Sequence, residues 1–390
     1  MAADEYPYFT DEHELFRKTI GAFCRKEIAP HALEWEQAHT FPKSLFARAG
    51  ELGLFGIRVD AEWGGSGMDW WASAAAYDAL KYTDFPSLNL SLMVQMDLTL
   101  QVIEKYGTGE QKEEFLHPAV AGEQVTALAI SEPECGSDVA SMQTHATPDG
   151  GDWVIRGQKL WITNGSIADF LVLAVRTGTH RYRDISLMLF PTSTPGFTAS
   201  GSIAKVGNVA SNTAHLFFDE CRIPSRFVLG EPGQGFPAIM ENFQGERLAT
   251  TLLVLSFMDR ALELSMQYAR ERRAFGRALM ENQVWRHRFA EHRAHVEAAR
   301  WLAFRALDVL NRTGRATKEV AMAKLTASDL AQKVLYDCTQ VFGGFGYTVE
   351  YPVARMWRDL RLYTIGAGTS EIMKEIISKE EGFLSGTGRR

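Results

Sequence analysis

Apolar residues along this 390-residue chain change their period twice, and each change marks a change of fold. Residues 1–124 carry helical spacing, interrupted at Pro30, Pro42, the Gly64-Gly65-Ser66-Gly67 turn and Pro86. Leu15, Phe16, Ile20, Phe23 and Ile28 form an apolar stripe that predicts a helix from Glu12 to Ile28, with Thr10 as its N-cap. From about Val125 the pattern shortens to β-rich runs: Trp153 to Ile155, Lys159 to Thr163, Phe170 to Val175, Ile185 to Phe190 and His215 to Phe218. Short strands without helices between them predict an antiparallel barrel or sandwich, not a parallel nucleotide-binding sheet. After Gly235 the helical period returns, with helices expected over Ala238 to Arg273, Gln283 to Asn311 and Lys318 to Phe342. The expected class is α+β, mainly α. It comprises an N-terminal helical domain (1–124), a small central antiparallel β domain (125–234) and a C-terminal helical bundle (235–390).

Composition removes several functions. A net charge of −7 and a pI near 5.9 oppose a nucleic-acid partner, which needs a basic face. The longest apolar runs, such as Phe170 to Val175, fall far short of the roughly 20 residues that span a bilayer, so no membrane insertion is expected. The acidic start, Met1-Ala2-Ala3-Asp4-Glu5, has neither a hydrophobic secretory core nor the Arg-rich character of a transit peptide, which predicts a cytoplasmic protein. Cys24, Cys135, Cys221 and Cys338 lie far apart, against a disulfide framework or a zinc site. His287, His292 and His295 cluster among arginines that repel a cation and lack HExxH spacing, so they read as a solvated helix face and no metal is expected.

Five motifs then stand in order along the chain. They are Ser131-Glu132-Pro133-Glu134-Cys135-Gly136-Ser137-Asp138, Trp161-Ile162-Thr163-Asn164-Gly165, Arg272-Arg273-Ala274-Phe275-Gly276 with Gln283, Gln340-Val341-Phe342-Gly343-Gly344-Phe345-Gly346-Tyr347, and Gly368-Thr369-Ser370-Glu371-Ile372. Gly343, Gly344 and Gly346 follow a helix and lack GxGxxG spacing, so they are no dinucleotide fingerprint. Together the motifs resemble those of the acyl-CoA dehydrogenase family over nearly the whole chain.

The resemblance implies FAD. In it Trp161 flanks the flavin ring, Thr163 bonds near its N5, and Ser131 with neighbouring backbone serves the pyrimidine side; Leu128, Ile130, Gly136 and Ile162 belong to the same set. Ser137 belongs to the cofactor set as well and also meets the CoA moiety. Arg272, Phe275 and Gln283 reach a neighbouring subunit's FAD, with Gln340, Gly343, Gly344, Thr369 and Glu371 completing the cofactor set. That sharing implies a homo-oligomer, a tetramer by resemblance, and an electron-transfer flavoprotein as acceptor.

The base departs from the commoner family pattern, which places a glutamate where this chain has Ala367. The remaining candidate is Glu246, in Gly245-Glu246-Arg247, where isovaleryl-CoA and long-chain members carry theirs. Burial beside an apolar substrate should raise its pKa by about two units, closer to working pH. Arg247 resembles a residue that contacts CoA; Gln244, Gly366 and Ala367 join it as substrate residues, with the Ala367 amide facing the thioester oxygen. The expected reaction removes the α-proton and passes a β-hydride to flavin, giving the trans-2-enoyl-CoA. Gly366-Ala367 resembles the isovaleryl type, whereas Asn242-Phe243 and the tail from Glu371 to Lys379 resemble long-chain or citronellyl types, so the substrate reads as branched or medium to long. A flavin oxidase of the same superfamily and a non-catalytic acyl-CoA-binding subunit are the alternatives.

Overall fold

The computed structural model describes residues 8–383. Eight helices come first: α1 (Asp11–Phe23), α2 (Ala32–Ala38), α3 (Ser44–Glu51), α4 (Trp70–Leu80), α5 (Pro86–Met93), α6 (Leu100–Tyr106), α7 (Gly109–Gln111) and α8 (His117–Val120). Thr10 caps α1 as expected, its hydroxyl accepting from the His13 amide at 3.4 Å. Leu15 is 67% exposed, against expectation. It lies five residues before Ile20, about 140° around the helix from the buried face. π-helical turns carry the chain on from α1 (Cys24–Ile28) and join α5 to α6 (Val94–Thr99). The second places Gln95 where its side chain accepts from the Thr126 amide and donates to the Ala119 and Gln124 carbonyls, tying the helices to the sheet.

The central strands are β1 (Thr126–Ala129), β2 (His145–Asp149), β3 (Asp152–Thr163), β4 (Phe170–Arg176), β5 (Ile185–Pro191), β6 (Phe197–Ala199), β7 (Thr213–Pro224) and β8 (Val228–Leu229). Their order is β6-β7-β3-β2-β4-β5-β8, with β1 also on β4. The expected strands are present, but the sheet is mixed and open, not a closed antiparallel barrel: β1 and β2 run parallel to β4. The β2–β3 hairpin intervenes between β1 and β4, so β4 re-enters the sheet in the direction of β1. Trp153 to Ile155 and Lys159 to Thr163 are one strand, whose pairing with β7 slips between Ile155 and Gly157 and between Lys159 and Ile162.

After the sheet come α9 (Gly235–Glu271), a small hairpin of β9 (Arg273–Ala274) and β10 (Arg277–Ala278), α10 (Gln283–Thr313), α11 (Thr317–Val341), α12 (Pro352–Leu360) and α13 (Ser370–Glu380). The three long helices match the expected spans within three residues at each end. α9 is the hub, packing on α4, α10, α11, α12 and β5, with Leu248, Leu253, Phe257, Met258 and Leu262 fully buried. Among the described residues no helix is long and apolar enough to cross a membrane. All four cysteines are buried free thiols.

Candidate active site

The second slip in β3 falls on Leu160 and Trp161. Trp161 there adopts a left-handed backbone, φ +65°, and its indole is 59% exposed. A bulge re-aims a side chain out of the ladder, and a non-glycine residue holds φ above zero only where its surroundings fix it. Neighbouring groups do fix it. Asn164, also left-handed at φ +66°, donates its amide to the Ser91 and Thr126 carbonyls at 3.0 and 3.3 Å. The Leu160 amide donates to the Ser131 carbonyl at 2.9 Å, which sets the Ser131 loop beside Trp161.

A buried ion pair locks that loop. Lys159 Nζ lies 2.8 Å from Glu132 Oε1 and donates to the Ile130 carbonyl at 2.9 Å, while Glu132 also accepts from the Gln143 and Thr144 amides. The structure thus brings Leu128, Ile130, Ser131, Trp161, Ile162 and Thr163 onto adjoining strands and loop, with Ile162 buried and Thr163 half-buried. Gly136 and Ser137 are exposed further along the loop, where Asp138 accepts from Arg181 and Ser141.

Glu246 faces inward from α9, 9% exposed, and its Oε2 has no hydrogen-bond partner. Loss of hydration pushes its carboxyl up to about 7, against the pull of the neighbouring Arg247 and Lys324 cations. Arg247 is buried too, its guanidinium over the Phe243 ring, and its Nε donates to the Ala367 carbonyl at 3.3 Å. Lys324, fully buried on α11, donates to the Gly368 carbonyl. These contacts hold the 366–368 loop, in which Ala367 at φ +54° and Gly368 at φ +86° are both left-handed. Sequence reading missed Lys324, since a single lysine on a helix reads as solvent-facing.

Other expected residues take different places. Gln244 Oε1 accepts from the Ala316 amide and the Thr317 hydroxyl, so it caps α11. Thr369 caps α13 through the Ile372 amide, and Glu371 is exposed in that helix's first turn. Arg272, Gln340, Gly343 and Gly344 converge on a separate cavity of about 550 Å³ with Tyr268, Trp285 and Phe345. Phe275, at φ +53° on the exposed tip of the β9–β10 hairpin, and exposed Gln283 adjoin it in sequence. A side chain at Gly344 would meet open space, and its φ is not left-handed, so neither packing nor backbone conformation calls for glycine there. The histidine run is not uniformly solvated: His292 is buried, with Nε2 2.8 Å from Asp337 Oδ2, because its position turns inward on α10. Among the described residues no three His, Cys, Asp or Glu side chains converge as a metal site.

Comparison with known proteins gives these positions a context. Three family models match in order: acyl-CoA dehydrogenase N-terminal domain over residues 10–123, middle domain over 127–221 and C-terminal domain over 233–381. The mitochondrial long-chain specific acyl-CoA dehydrogenase of Sus scrofa is 35% identical over 375 residues, covering 95% of this chain and 87% of that protein. The butyryl-CoA dehydrogenase structure from Megasphaera elsdenii superposes with a TM-score of 0.92 at 31% identity, covering 96% of this chain and 98% of that one. A chain in a structure described as an electron transferring flavoprotein of Acidaminococcus fermentans gives 0.93 at 32%, covering 97% and 99%. Matched over nearly its whole length, the chain belongs to the acyl-CoA dehydrogenase family.

Proposed function

We propose that the protein is an FAD-dependent dehydrogenase, organised as domains 1–124, 125–234 and 235–390, that converts a saturated acyl-CoA to its trans-2-enoyl-CoA with Glu246 as base. The observation that carries this reading is Glu246 itself: a buried carboxylate with one unpartnered oxygen, poised near neutral pH. A general base works best with its pKa near the working pH. Glu246 takes the α-proton, and the Ala367 amide meets the thioester oxygen as enolate charge develops on it. Bound FAD would supply the acceptor for the hydride that leaves the β-carbon.

The residues present suit that cofactor. Exposed Trp161 offers an apolar face, and Ser131 and Thr163 adjoin it with polar groups. Arg272, Gln340 and the unfilled space over Gly344 offer a recess with room for a diphosphate in a second region, which a neighbouring copy would supply in a homotetramer. Arg272→Ala should therefore lower flavin retained after gel filtration, through loss of a charge-assisted contact. Full retention would remove Arg272 from the cofactor set.

Anaerobic addition of acyl-CoA should bleach the flavin band, and an electron-transfer flavoprotein should restore it faster than oxygen does. Rapid restoration by oxygen would make the protein an oxidase, and no bleaching by any acyl-CoA would make it a binding subunit. For the acyl group we propose a branched or medium to long chain. The atoms nearest a Cβ built on Gly366 belong to Leu362, the closest at 3.5 Å, an ordinary contact distance, so the backbone accepts a side chain there. Gly366→Tyr should then fold and lower kcat/KM more for isovaleryl- and citronellyl-CoA than for straight chains, by roughly tenfold for the lost methyl-sized space. Equal losses across the panel would detach Gly366 from branch selection.

A further inference from the structure

We propose that Lys324 is a positioning residue for this reaction: from α11 it holds the Gly368 carbonyl while Arg247, the residue after the base, holds the Ala367 carbonyl, so that the loop is fixed against the helix that carries Glu246. The inference rests on the reading of Glu246 as base.

Other buried lysines in this fold end on carboxylates. Lys159 pairs with Glu132 at 2.8 Å, and Lys81 with Asp78 and Glu263 at 3.2 and 3.1 Å. Lys324 is as buried as Lys159, yet its nitrogen ends on a loop carbonyl. A buried ammonium so placed is costly for folding alone, and an apolar side chain of similar size would avoid that cost.

The loop gives the lysine its work. Ala367 and Gly368 are successive left-handed residues; glycine takes this conformation freely, but at Ala367 it persists only when neighbours over-determine it. Arg247 takes the first carbonyl and Lys324 the second. The same two cations are the charges that oppose burial at Glu246. The charged groups acting on Lys324 are Arg247 and Glu246 from α9, Asp329 from its own helix and Glu371 from α13. Burial holds Lys324 down to about 8, so the lysine stays mostly charged at neutral pH.

Removing that charge favours protonated Glu246, which slows the reaction at neutral pH and leaves it recoverable at higher pH. The experiment is single-turnover flavin reduction by acyl-CoA in holoenzyme across pH, comparing the parent with Lys324→Met and Lys324→Gln. The glutamine keeps a donor for Gly368 without the charge. Both variants should move the midpoint of the pH profile up by about one unit and slow reduction about tenfold below it. Lys324→Met should also raise KM, having lost the loop contact, whereas Lys324→Gln should keep the parent KM.

A parent midpoint in the variant that assembles, with only stability or flavin content lowered, overturns the proposal. Glu246→Gln measured alongside separates the two readings. If it reduces flavin at the parent rate, the base assignment fails whatever Lys324 does. If it is inert while Lys324→Gln keeps the parent midpoint, only the role of Lys324 fails.

Discussion

Glu246→Gln should fold, bind FAD and acyl-CoA, and reduce its flavin at least about 100-fold more slowly than the parent, roughly 2.7 kcal/mol in barrier. An amide fills the same space and removes only the proton acceptor. The other carboxylate on this stretch of α9, Glu241, is exposed and bonded to Lys105 and Tyr106, which hold it below its ordinary value, so it cannot stand in. Ala367→Glu in the Glu246→Gln background should restore part of the rate, because Arg247, the residue after the base, ties position 367 to this part of α9 and a glutamate at φ +54° is no more strained than the alanine. The pH dependence gives an independent signature. With the carboxyl at about 7, the parent's kcat/KM should rise with pH through that value. Stability should run the other way. A carboxyl raised from 4.5 to about 7 by burial contributes fully below the lower value, and its contribution is lost as pH rises through the upper one. The loss amounts to up to about 3 kcal/mol above pH 8. Glu246→Gln escapes it, so the variant's thermal midpoint should exceed the parent's at pH 8 and match it near pH 4.5. Rapid-reaction bleaching at the parent rate, or no divergence of the melting curves with pH, would sink the assignment.

Much of this architecture is written locally. The long helices show through 3.6-residue periodicity, and Thr10 announces its helix because a cap acts across three residues. What escapes a linear reading is set by distant partners. β1 and β2 run parallel to β4 because of where the hairpin between them packs, and a four-residue buried strand carries no alternation to reveal it. The left-handed turn at Trp161 depends on Asn164 reaching Ser91 and Thr126, far away in sequence. Gln244 stands two residues before the base, a rotation of about 200° along a helix, and only the fold shows its side chain accepting from the Ala316 amide at the start of α11. Lys324 is the hardest case. Nothing in Ala321-Met322-Ala323-Lys324-Leu325 distinguishes it from a surface lysine, and its burial follows from α11 packing against α9 and α13.

Lys159→Met should destabilise the protein by about 3–5 kcal/mol at pH 7 and strip it of flavin, although position 159 lies on the inner face of the sheet. The methionine fills the volume, so packing is nearly conserved and the loss comes from Glu132. That carboxylate, 5% exposed, would keep only the Gln143 and Thr144 amides and lose its counter-charge, and the Ile130 carbonyl would lose its donor. In the parent, Lys159 and the two amides outweigh burial and hold Glu132 below its ordinary value, which stabilises the fold above that range and fades as pH falls. Without Lys159 the carboxyl shifts upward and protonates more readily, so the variant's deficit should shrink between pH 7 and pH 5. Glu132→Gln in the Lys159→Met background should recover part of the stability, because a neutral amide needs no counter-charge, although its NH2 replaces one of the two oxygens that accept from the Gln143 and Thr144 amides. Urea unfolding of the parent, Lys159→Met, Glu132→Gln and the double variant completes the cycle. Flavin content reports on the site, since the pair fixes the loop carrying Ser131 against the strand carrying Trp161. If Lys159→Met unfolds within 1 kcal/mol of the parent yet keeps its flavin, the ion pair is incidental and the Leu160–Ser131 backbone bond suffices to set the loop.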